Sequence, residues 1–125
     1  MNVTMPSVPL LTGTAALALQ AATAGLRGYP PSHPDSQLLA LAEKFFVENA
    51  LYEAAESGSP EQDAAYTAYW AAVRAMEAVP AAGLAGLMAK AKVIEAYQAL
   101  TGAGAFEDLN SSLLDDCIRL AGGAA

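Results

Sequence analysis

The side chains able to do chemistry in this sequence are few and scattered. His33 is the only histidine, so a two-histidine zinc site cannot be built and the Glu-x-x-His pairs of a di-iron helical site are missing. It lies in a proline-flanked turn, SHPDS, where it reads as a cap or surface residue. Cys117 is the only cysteine, which rules out an internal disulfide. Asp115 and Asp116 are the wrong neighbours for a nucleophilic thiolate. The spacing places Cys117 on an apolar helical stripe, where cysteine acts as a small buried hydrophobe.

The carboxylates are the next candidates, because paired acids can perform general acid and base work on glycosides. Glu53, Glu56, Glu61 and Asp63 gather around a turn between two helices, an exposed setting that implies no apolar pocket, so they read as solubilising charge. Asp108, Asp115 and Asp116 match no calcium loop and could hold a cation only weakly. Lys90 and Lys92 are the one close basic pair and read as a solvated face. Gly83 with Gly86, and Gly102 with Gly104, follow no strand and therefore form no phosphate cradle. No catalytic residue, metal site or cofactor site emerges, and the expectation is a protein that is not an enzyme.

Composition narrows the partners. Thirteen acidic residues against six Lys and Arg give a net charge of -7, which disfavours a grip on nucleic-acid phosphates. The length of 125 residues suits one domain with one modest core. Apolar residues make up 54% of the chain, many of them alanine, the strongest helix former. An all-α fold follows.

Residues 1–27 form an apolar segment with no charge before Arg27. Three readings stay open. Residues 8–26 resemble the apolar part of an export signal with Ala22-Thr23-Ala24 as the cleavage site, although no Lys or Arg precedes them. The same stretch approaches the roughly 20 residues of a membrane span, but carries Thr, Gly and Gln; membrane association follows only if it is kept as an anchor. Alternatively it is a helix from about Thr12 to Leu26 that packs on the rest of the chain or on a partner. Cytoplasmic and exported, periplasmic locations are both compatible with this.

Gly28, Pro30, Pro31 and Pro34 interrupt any helix, so residues 28–33 read as a linker ahead of a domain over 34–122 and a tail of 123–125. The longest amphipathic stretch, residues 33–57, organises that domain. Pro34 suits its first helical position, with Ser32 or His33 as cap and Asp35 in the first turn. Leu38, Leu41, Ala42, Phe45 and Tyr52 make its stripe, widened by Leu39, Phe46, Ala50 and Ala54. Ser57-Gly58 stops it.

Ser59-Pro60-Glu61-Gln62 restarts the chain with a capping-box pattern, and so short a turn sends the second helix back antiparallel. That helix runs to about Val79, with Tyr66, Tyr69, Val73 and Met76 on one face and Ala65, Ala68 and Ala72 beside them. Trp70 lies a residue off this face, at an edge or waiting for a partner. A third helix from near Ala82 to Thr101-Gly102 turns Leu84, Leu87, Met88, Ala91, Ile94 and Tyr97 inward. Its start lacks a local cap, leaving backbone N–H groups for water or a neighbouring helix. A fourth, from Phe106 to about Ala121, aligns Phe106, Leu109, Leu113, Cys117 and Leu120. The expected architecture is a small, mostly antiparallel bundle of three to four helices with an apolar N-terminal arm.

The HPD start at His33 to Asp35, the Trp70 helix and the segment PAAGLAGLMAKAKV from Pro80 together resemble a loose group of small, uncharacterised helical proteins of alphaproteobacteria, some of them encoded near prophage genes. The resemblance covers most of the chain after the linker. It departs from the group's pattern in lacking a threonine at Ala81 or Ala82. It implies helices and transfers no catalytic residue.

Excess apolar sequence for so small a domain points to a structural or interaction role, in which Leu10, Leu11, Leu17, Leu19, Leu26 and Trp70 bind a second copy or a partner helix. The alternative is an exported helical domain that binds a small apolar ligand between its helices, lined by Phe45, Phe46, Tyr69, Met88 and Tyr97.

Overall fold

The computed structural model describes residues 13–101 and 106–123. Leu10 and Leu11 lie outside the described residues. Within them the chain is all helical and forms no strand. Helix α1 (Gly13–Thr23) runs into a 3-10 turn, Ala24–Leu26, and four helices follow the proline-rich connection: α2 (Ser36–Ala54), α3 (Pro60–Ala78), α4 (Leu84–Thr101) and α5 (Glu107–Gly123). No described helix is long and apolar enough to cross a membrane.

Helix α3 starts as its sequence dictates. Ser59 Oγ accepts from the Gln62 N–H at 3.1 Å, Gln62 Oε1 accepts from the Gly58 N–H at 2.8 Å, and Pro60 needs no partner at the first position. Gly58 takes φ +79°, the left-handed conformation that glycine adopts without steric cost. Helix α2 departs from expectation by starting at Ser36, not Pro34. Residues 33–36 fold into a turn first: the Ser36 N–H donates to the His33 carbonyl at 2.9 Å and the Asp35 N–H to His33 Nδ1 at 3.0 Å. His33 thus holds a turn, with Tyr29 edge-on to its ring.

The core gathers on α2. Leu38, Ala42 and Phe45 are buried among Tyr69, Val73 and Met76 of α3, Val93 of α4 and Leu109 of α5. Phe45 meets Phe46, Tyr69 and Phe106 edge to face, and each large side chain so buried stabilises the fold by about 1.5–3 kcal/mol. Leu26 belongs to the same cluster. Thr23 is also buried, its hydroxyl donating to the Leu19 carbonyl at 2.9 Å. The proline-rich connection therefore does not divide the segment before it from the core.

Several positions face differently from their sequence reading. On α5 the inward face carries Leu109, Ser112, Leu113, Asp116 and Leu120, while Cys117 is exposed together with Leu114 and Ile118. The helix bears two overlapping apolar stripes, and the one containing Cys117 points outward. Tyr66 is exposed, and Leu84, expected inside, is 81% exposed. Lys90, expected in solvent, is fully buried.

Candidate functional site

The buried charges form two clusters. Asp35, only 2% exposed, stands at the N-cap position of α2 but does not cap it. Its carboxylate turns to α4, accepting from the backbone N–H groups of Ala82 at 2.6 Å, Gly83 at 3.1 Å and Gly86 at 2.9 Å. This supplies the cap that the local sequence lacks and places a negative charge at the positive end of the α4 dipole. Gly86 is required for the approach, because a Cβ there would stand 2.5 Å from Asp35 Oδ1 and 2.9 Å from the Ala81 Cβ.

The second cluster ties α4 to α5. Lys90 Nζ donates to Asp116 Oδ2 at 2.5 Å and to Ser112 Oγ at 2.8 Å, and Ser112 Oγ donates to the Glu77 carbonyl at 3.1 Å. Arg119 bridges Asp116 Oδ1 at 2.9 Å and the Ala81 carbonyl at 2.7 Å. Burial alone would push the Asp116 carboxyl up. Hydrogen bonds from Lys90, Arg119 and the Ala81 backbone outweigh it and hold the carboxyl below its ordinary value. Ser112 and Lys90 lie as close as a serine nucleophile and a lysine base would. Here, however, Lys90 directs its protons at a carboxylate and the serine proton points to a backbone carbonyl, so the pair is arranged for structure. Among the described residues no three His, Cys, Asp or Glu side chains are grouped to hold a metal ion.

An aromatic sheath covers one side of α3. Trp70, half-buried, packs on Phe106, Tyr69, Tyr66 and Tyr97, and Arg74 lies 5.1 Å from its ring centroid. Arg74 is itself paired with Glu77 and Asp108. Burial first, then the neighbouring Tyr66 and Tyr52, push the Tyr69 hydroxyl up to about 12.

An apolar groove lies elsewhere. Helices α1, α2 and α4 leave an open groove of about 430 Å³ between them, walled by alanines with Leu19 and Phe46, and with Asn49 and Glu53 as its polar members. Alanine builds it: side chains one methyl deep on three converging helices cannot fill the space between the helix axes.

The residues singled out from the sequence distribute as follows. Leu19 lines the groove. Leu17 is 66% exposed on the outer face of α1. Leu26 is buried in the core and is unavailable to a partner, a correction to its reading as interaction surface. Trp70 is largely engaged by its neighbours. Of the side chains expected to line an internal cavity, Phe46 reaches the groove, whereas Phe45 and Tyr69 pack in the core. The wall alanines Ala15, Ala18, Ala22, Ala50 and Ala96 were not separable from ordinary helix formers in sequence.

No protein-family model, curated protein or solved structure matches this chain.

Proposed function

We propose that this chain is a non-enzymatic binding protein: a small, mostly antiparallel helical bundle, with α1 laid along α2 and the groove between α1, α2 and α4 as its working surface. The groove carries the reading. Its volume of about 430 Å³ lies within the roughly 300–1,000 Å³ of small-molecule sites, and such sites are mostly apolar with a few polar groups. A helix about 10 Å across fills a similar volume in a single turn, so the space suits a slender apolar chain better than a whole partner helix. The non-enzymatic part rests on the fate of the buried charges: Asp35, Lys90 and Asp116 are each consumed by partners within the fold.

Self-association is the second reading, and Leu17 favours it, because a leucine 66% exposed on an uncharged helix is a surface another copy could cover. Titration with the neutral apolar dye Nile red, together with light scattering after size exclusion, separates the two. Groove binding gives one dye site per chain in a monomer, lost in Ala96→Phe. Self-association gives a dimer that Leu17→Lys disperses. A monomer that enhances no dye fluorescence refutes both.

A further inference from the structure

We propose that the groove's ligand is a free long-chain aliphatic carboxylate whose head group is held by Lys92, an assignment that rests on the groove being a binding site. Of the six Lys and Arg residues in the chain, Arg27, Lys44, Arg74, Lys90 and Arg119 are each engaged in a salt bridge with a carboxylate. Among the described residues Lys92 is the cation without one, and it is half-buried rather than extended into solvent. Glu95, a turn away on the same helix, is exposed and does not pair with it.

Lys92 is also in the right place. Its Nζ lies against Gly25, 3.9 Å from where a Cβ on that residue would be. Gly25 follows the wall residue Ala22 by three positions, and Lys92 precedes the wall residue Ala96 by four, one helical turn in each case. Lys92 is not part of the groove's wall: its ammonium stands about one turn beyond it, beside the 3-10 turn, and the residue also borders a neighbouring hollow with Glu95, Gln98 and Leu113. The opposite end carries Glu53 beside Ala54, which repels a carboxylate. The two charges give the groove a direction, with head at Lys92 and tail toward Ala54 and Ala99.

Length fits as well. The α1 wall from Ala15 to Ala22 spans roughly 10 Å at 1.5 Å per residue, and the further turn to Gly25 brings the path to Lys92 to about 15 Å, the reach of an extended chain of a dozen carbons. In a protein of net charge -7, an anion is retained only where a local cation offsets the general repulsion. Lys92 is the available one.

The test is calorimetric titration of the full chain with dodecanoate and with dodecanol, below their aggregation concentrations. One dodecanoate should bind per monomer. Lys92→Gln should weaken it about fivefold, as expected for one partly solvated ion pair, and leave dodecanol unchanged. Ala96→Phe should abolish both, with Ala18→Phe on the exposed wall as the second groove-filling variant if the first disturbs folding. Dodecanoate affinity indifferent to Lys92→Gln but lost on filling the groove would overturn the head-group assignment while leaving an apolar binding site. Failure of both ligands to bind would remove the groove reading too. A dimer dispersed by either filling variant would assign the groove to a second copy and overturn the carboxylate.

Discussion

Asp35 determines more than any other single side chain. It closes three backbone N–H groups at and just before the start of α4 while sitting at the start of α2, so its removal leaves the buried Gly86 N–H and its neighbours unpaired and a helix dipole uncompensated. Asp35→Ala should therefore lower the unfolding free energy by about 3 kcal/mol, above the range of an exposed cap, as read from a urea transition. Asp35→Asn should recover part of this, since an amide oxygen can still accept. The sequence reading put Asp35 in the first turn of α2, facing that helix's own dipole, and also left the start of α4 without a local cap; the structure sets Asp35 just before α2 and turns its carboxylate to α4. Sequence alone could not join the two, because a capping pattern is read within four residues and these partners stand 47 to 51 apart. Gly86 was visible only as a glycine; the carboxylate lying against it gives it a purpose.

Between elements, the decisive contact is Lys90 with Asp116, joining α4 to α5. Removing Asp116 leaves the fully buried Lys90 ammonium with Ser112 and no carboxylate, a loss of about 3–5 kcal/mol, whereas removing Lys90 leaves Asp116 still paired with Arg119 and should cost less. The pair also predicts a pH dependence. The Asp116 carboxyl is held below its model-peptide value of 3.8 in the folded chain, so on acidification the unfolded chain takes up its proton first. The stabilisation is fully present above the unfolded value and is lost as pH falls through the folded one. Asp116→Asn should already lack it at neutral pH and should show a flatter fall in denaturation midpoint than the parent as pH falls from about 5 through the carboxylate range. Periodicity found the inward face of this helix through Phe106, Leu109, Leu113 and Leu120 but misplaced Cys117 on it, for a physical reason. Leu109, Leu113 and Leu120 mark one face, and Leu114, Cys117 and Ile118 another beside it. The first face wins because Ser112 and Asp116 on it satisfy the buried Lys90 amine, a gain that hydropathy counts as a loss.

At the scale of the whole molecule, the chain before the prolines and the chain after them share one core. Leu26 is 4% exposed within it, and Arg27 pairs with Glu43 of α2 at 2.8 Å. Leu26→Ala should cost about 3 kcal/mol, and unfolding followed by tryptophan fluorescence and by circular dichroism should remain a single coincident transition. A separate arm would instead leave the fluorescence transition untouched. The helical class and the α3 boundaries were legible because alanine content and the serine-proline cap are local signals. The groove was not, since an alanine that leaves a space and an alanine that fills one are the same letter.

The carboxylate of Asp35 carries a consequence for the order in which the chain assembles. A serine or threonine beside α4 would let that helix begin on its own, within the time a local turn takes to close. Here the first turn of α4 is capped by a partner delivered across a span of 47 residues, so its stabilisation carries the loop-closure entropy of the α2 and α3 segment between them. The first turn of α4 therefore gains its acceptor only in chains whose first half is already in position, and Asp35 leaves solvent only when that turn packs against it.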